Sequence, residues 1–232
     1  MRSVSLCFTA VALYALTLSA PSARAQDETT HSISGGGISV PGWKGTLDSQ
    51  SAGSVNDAKL SQEGGELHVT TGPAITYWNP ANQASGDYTV SATFTEPKYM
   101  DRNSHPHPYG IVIAGIELGT AQQSYLYCAA YGNGNFIVRG FGPEPFQVNG
   151  RRGEANAAVH KASGPGQPVT QDIAVSVKGG KVSCSINGTE VGSYDKSALV
   201  TAGKLKSTDG AYGIRSAHNT NITVSNLKLT KE

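Results

Sequence analysis

The chain has 232 residues, with 18 lysines and arginines against 17 aspartates and glutamates, 15% charged residues and 28 glycines. A balance this close to neutral excludes the electrostatic footprint that nucleic acid or an anionic membrane surface demands of a partner. Abundant glycine with few charges suits short strands joined by tight turns, and it argues against a helical fold.

The first elements are processing signals. Arg2 supplies a positive start, Val4 to Leu18 is mostly apolar and uncharged, and Ala23-Arg24-Ala25 has the A-x-A form of a cleavage site. The apolar run is too short to span a bilayer comfortably. Residues 1–25 are therefore expected to be a cleaved signal peptide. The mature protein is then periplasmic or secreted, with no membrane insertion. Removing Arg2 and Arg24 leaves 18 − 2 = 16 basic against 17 acidic residues, a net charge of −1. The remaining 207 of 232 residues suit one domain with a full core. The stretch 26–34 is polar and aperiodic, and Gly35-Gly36-Gly37 is a flexible joint, so 26–37 is expected to be a loose segment before a domain at 38–232.

Strands are expected at 66–71, 74–78, 88–95 and 109–118, where Tyr88, Val90, Ala92 and Phe94 keep a period of two. A hairpin follows at 125–130 and 135–141 around Gly132-Asn133-Gly134. A two-residue turn there pairs Cys128 with Arg139. A three-residue loop with Gly134 left-handed pairs Cys128 with Val138 and Tyr127 with Arg139. The second register is preferred, because it spares Arg139 an unpaired burial. It sends Leu126, Cys128, Phe136 and Val138 inward and puts Tyr125, Tyr127, Arg139 and Phe141 on the other face. Another strand is expected at 158–161. The firmest expectation is a meander over 173–194. With Lys178 opposite Lys181 around Gly179-Gly180, Val177 faces Val182, Val175 faces Cys184 and Ile173 faces Ile186. Asn187-Gly188 then turns into a third strand with Val191 beside Cys184. One helical turn at 196–200 and strands at 211–215 and 222–229 complete the chain. So many short antiparallel strands close into a sandwich or barrel. Cys128 and Cys184 each lie in a strand. Export permits a disulfide if their Cα atoms come within about 7 Å, and a small buried apolar role fits each equally well.

The order of these elements resembles a known superfamily. Gly42-Trp43 leads to Leu47-Asp48, then Gly65-Glu66-Leu67-His68-Val69, Asp87-Tyr88-Thr89-Val90, Tyr109-Gly110-Ile111-Val112 and Tyr125-Leu126-Tyr127. Val182–Ile186 with Asn187-Gly188-Thr189 follows, then Tyr212-Gly213-Ile214-Arg215 with His218. Over about residues 42–230 the chain resembles the concanavalin A-like lectin/glucanase superfamily. Within it, the chain looks closest to laminin-G-like domains of bacterial secreted proteins near the 3-keto-disaccharide hydrolase family. The resemblance implies an all-β, two-sheet antiparallel jelly-roll sandwich whose concave face often holds carbohydrate. Members include lectins, glycosidases and domains that only bind.

The chemistry favours binding. Retaining glycosidases need two carboxyl groups about 5 Å apart, and the superfamily's Glu-x-Asp run is missing. Glu117 is alone in its strand, while Glu144, Glu154 and Asp172 are scattered. The hydrolases' Tyr-Glu-x-Gln-Ile strand corresponds to Gln123-Ser124-Tyr125-Leu126-Tyr127, which lacks a carboxylate. No catalytic residue is assigned. His105-Pro106-His107-Pro108 offers two imidazoles able to converge on one ion, but no third ligand is evident and no metal is assigned. Asp48 is read as a turn former, with calcium as the one cofactor it would suit. Sugar recognition needs aromatic planes and polar forks. Tyr125, Tyr127 and Arg139 supply both, with Trp78 and Tyr109 bordering the same surface and His160 facing it from beside the 150–156 loop. Arg215 and His218 are read as structural partners. The expected partner is an oligo- or polysaccharide. A glycoside-cleaving enzyme and a protein-interaction module are the alternatives, and the oligomeric state is open.

Overall fold

The computed structural model describes residues 30–48 and 53–231. The expected signal peptide and the start of the tail lie outside the described residues. The molecule is two large sheets packed face to face. The first runs, edge to edge, β1 (Gly37–Ile38), β3 (Lys59–Glu63), β4 (Glu66–Thr70), β16 (Asn221–Lys231), β6 (Tyr88–Glu96), β12 (Val169–Lys178), β13 (Lys181–Ile186) and β14 (Thr189–Asp195). The second runs β10 (Pro145–Gln147), β9 (Asn135–Phe141), β8 (Ser124–Ala130), β7 (Tyr109–Ile116), β15 (Gly210–Ser216), β5 (Ile75–Ala84) and β2 (Lys44–Leu47), with the short β11 (Glu154–Ala155) also on β9. Pairing is antiparallel except for β1 on β3. This is the all-β sandwich expected from the turn-rich sequence.

Periodicity set the registers where one face is buried. On β6 and β12 every second residue is buried, and Val177↔Val182, Val175↔Cys184 and Ile173↔Ile186 pair as the apolar alternation dictates. The next pairing departs from expectation. A bulge between Cys184 and Ser185 puts Gly192, not Val191, opposite Cys184. The β8–β9 hairpin takes the register with Tyr127 opposite Arg139 and Cys128 opposite Val138, with Gly134 left-handed at φ 93°. No strand forms at 158–161. That stretch is turn and loop, with one isolated bridge from Lys161 to Asn133. The segment before residue 38 is also more tied down than a loose tail. His31 N–H donates to Asn219 Oδ1 at 2.8 Å, and Gly37 already pairs in β1.

Strands β7 and β8 are buried almost throughout, because both of their faces are covered. Inward, Ile111, Ile113, Leu126 and Cys128 meet Phe94, Val175, Val182 and Ile186 of the first sheet in the main core. Outward, Val112, Tyr125, Tyr127, Ala129 and Ile137 form a second, smaller cluster. A Cys128–Cys184 disulfide crosses the main core from β8 to β13, with the Cα atoms 6.1 Å apart.

One core-edge group is ionisable. Glu96, 3% exposed, accepts from the Met100 N–H at 3.0 Å, and burial pushes its carboxyl from 4.5 up to about 7. The folded chain therefore holds this proton more tightly than the unfolded chain does. The stability it lends is full below about pH 4.5 and is lost as pH rises through about 7. Urea unfolding of wild type should give a Glu96 contribution about 3 kcal/mol smaller at pH 8 than at pH 4, absent from Glu96→Gln. Equal pH slopes in the two proteins would refute this.

Candidate functional site

The outer face of the second sheet carries a hollow of about 780 Å³. Tyr127 and Arg139, paired across β8 and β9, form part of its floor. Arg215 on β15 lies beside them. Its guanidinium binds the Asp48 carboxylate through two nitrogens, donates to Thr76 Oγ1 at 3.1 Å and sits 4.7 Å over the Tyr127 ring. Burial alone would lower the Arg215 pKa, but Asp48, Tyr125 and Tyr127 hold it well above its ordinary value. The Arg215–Asp48 pair thus closes the sheet end of the hollow with no net charge. Asp48, read as a turn former or calcium ligand, is the partner of this buried cation.

Several expected site residues are placed otherwise. Tyr125 is fully buried beneath the hollow, with its ring stacked on Phe141 at 4.9 Å and its hydroxyl accepting from Thr76 Oγ1 at 3.3 Å. Tyr127 is only 3% exposed, because Arg215 covers its ring. Neither offers an open plane for a sugar. Tyr109 faces the main core, where it stacks on Phe94 at 6.0 Å. Trp78 is buried away from the hollow, with its ring near the Gly119 loop. His160 is exposed at another site, bonded to the Thr170 carbonyl at 2.8 Å. The expectation of a row of stacking aromatics is therefore corrected. The strand period gave the face of each residue but not what crosses over it.

What the hollow does present is cationic. Arg139, Arg151 and Arg152 all line it. Among the described residues none has a carboxylate within ion-pairing distance, and Arg139 neighbours the neutral Gln147, whose amide accepts from the guanidinium at 2.7 Å when assigned with its oxygen toward it. Tyr131 is the half-buried ring on this wall, and burial pushes its phenol up to about 12, so the hydroxyl stays a donor at neutral pH.

No family model and no curated protein matches the chain. The matches are to solved structures. It is similar to a Bacillus subtilis protein of unknown function with a galectin-like fold, at 12% identity and a TM-score of 0.53, over 82% of this chain and 89% of that one. It also matches the carbohydrate binding module CBM66 from Bacillus subtilis, at 9% identity and a TM-score of 0.47, over 84% of this chain and 99% of that one. At such identity the first of these likenesses speaks for the fold alone, a sandwich of two sheets.

Three histidines also line the hollow. His105 and His107 come from the loop between β6 and β7, and His218 from the turn between β15 and β16. The structure thus supplies the third imidazole that inspection of 105–108 alone did not find. His218 is 111 residues from His107, and the β15–β7 pairing carries the two segments to the same end of the sheet. Carboxylates are scarce. Among the described residues Asp48 is the sole one lining the hollow, and Arg215 engages it. Glu117 pairs instead with Lys206 on the surface.

Proposed function

We propose that the chain is an exported glycan-binding protein whose hollow takes an acidic sugar, one bearing carboxylate or sulfate groups. The observation that carries this reading is the set of three arginines, Arg139, Arg151 and Arg152, lining one cavity with no carboxylate paired to them among the described residues. Guanidiniums match carboxylate and sulfate oxygens in pairs of hydrogen bonds, and each charged bond contributes about 1.5–3 kcal/mol. The two-sheet fold agrees with the sequence resemblance to concanavalin A-like domains, laminin-G-like members included, which often hold carbohydrate on one sheet. The hydrolase branch of that resemblance finds little support here, since a two-carboxylate mechanism needs a second acid beside Asp48.

Calorimetry against uronate-containing and sulfated polysaccharides, with neutral polysaccharides alongside, tests the proposal. Acidic glycans should bind, and binding should weaken as sodium chloride rises. Arg139→Ala should weaken it by roughly 10- to 100-fold, in line with one lost charged bond. Equal affinity for neutral glycans, or no glycan binding by the folded protein, would overturn it. Sequencing the amino terminus of the exported protein tests cleavage after residue 25.

A further inference from the structure

We propose that His105, His107 and His218 bind one divalent transition-metal ion of the zinc class, a site that stands apart from the glycan reading. The three side chains bring one potential ligand nitrogen each to within 4.8 Å of one another. Their rings are edge to face, 3.9 Å between His107 and His218 and 4.3 Å between His107 and His105.

The tautomer of His107 follows from its contacts. Its Nδ1 lies 2.5 Å from the backbone carbonyl oxygen of His218. A carbonyl only accepts, so Nδ1 carries the proton and Nε2 presents a lone pair. That Nε2 faces His105 Nε2 at 2.8 Å. An imidazole whose far N–H is tied to a backbone carbonyl, with its near nitrogen turned to a cluster of others, is the outer-shell arrangement of metal-bound histidine. A plain hydrogen bond from His105 to His107 explains the 2.8 Å contact. The His218 ring packs on His107 as well, so three imidazoles are gathered at one place.

The scaffold around these rings is rigid. Thr71, Ser216, Asn219 and Thr220 are all buried beneath the His218 turn. Thr71 Oγ1 donates to the Ala217 carbonyl at 2.6 Å and accepts from the Thr220 N–H at 2.9 Å. The Ala217 N–H donates to the Pro108 carbonyl at 3.0 Å, and Asn103 Nδ2 donates to the Asn219 carbonyl at 3.1 Å. The turn and the histidine loop are therefore bonded into one body, and Pro106 and Pro108 stiffen the loop between them.

The donor set selects the metal. Three neutral imidazoles suit zinc, copper or nickel, while calcium and magnesium ask for oxygen. Zinc–nitrogen bonds of about 2.0–2.1 Å require the widest pair to draw closer, a movement open to the exposed His105. Three protein ligands leave a fourth position, and because all three line the hollow it opens there.

Chelator-stripped protein titrated with Zn²⁺ alone, and in parallel with Co²⁺ followed by visible absorption, tests this. One equivalent should bind with a dissociation constant near or below about 1 µM, and cobalt should give the intense bands of a four-coordinate ion. His218→Gln should weaken zinc at least as much as the roughly 10–100-fold that loss of an outer-shell partner costs. His107 is buried, and its loss endangers the fold. The exposed His105→Gln therefore carries the same test, weakening zinc with an unchanged melting temperature. His160→Gln should leave binding intact. Absence of saturable zinc binding, or affinity unmoved by both His105→Gln and His218→Gln, would overturn the proposal. Because metal alone is the probe, either result is independent of whether a glycan binds.

Discussion

Replacing Arg215 with methionine should cost about 3 kcal/mol of folding stability and lower the melting temperature by roughly 6–12 °C. Arg215 is 6% exposed, and its guanidinium joins Asp48, Thr76 and the Tyr127 ring. Taking one partner from a buried ion pair leaves the other charge without compensation, typically at 3–5 kcal/mol. The low end applies because Asp48 keeps partial access to water, its side chain being 30% exposed. For a domain of this size each kcal/mol corresponds to about 2–4 °C. The double variant Asp48→Asn with Arg215→Met removes both charges and should recover much of the loss, giving a coupling energy in a double-mutant cycle. A single variant as stable as wild type in guanidinium unfolding would show that the pair contributes nothing.

Removing the Cys128–Cys184 bridge should have an effect of the same order by a different route. The two cysteines are 56 residues apart in sequence, and closing a loop of that length restricts the unfolded chain by about 4 kcal/mol. The double variant Cys128→Ala with Cys184→Ala should therefore melt roughly 8–16 °C lower. Peptide mapping without reductant should recover the two cysteines in one linked fragment. Free thiols at both positions in the oxidised protein would refute the bridge.

These two features differ in how far the sequence foretold them. The β8–β9 and β12–β13 registers were legible because an error of one residue would bury Arg139 or expose Val175 and Ile186, whereas the bulge in the β13–β14 hairpin was not. The disulfide stayed open, since alternation shows Cys128 and Cys184 pointing inward without showing that their strands face each other across the core. The hollow was half legible. Tyr127 and Arg139 share its floor as their pairing implies, but Arg215 over the Tyr127 ring is a contact between β15 and β8, strands that are not neighbours in the sheet. The histidine cluster was hidden for the same reason. Local spacing finds His105 and His107, while His218 arrives through the order of strands. The strand expected at 158–161 failed on different grounds, because its apolar residues answer to a loop anchored by Asn187, whose Nδ2 donates to the Ala158 carbonyl at 2.8 Å.

Strand β14 forms the open rim of the first sheet. A bare rim displays free N–H and C=O groups to any extended chain that drifts past. Here the extra residue at Val191 skews the ladder, Glu190 and Asp195 add charges, and Asp195 pairs at 2.7 Å with the exposed Lys181 of the neighbouring β13. A second copy of the molecule would meet an irregular, charged border there, which disfavours edge-to-edge pairing.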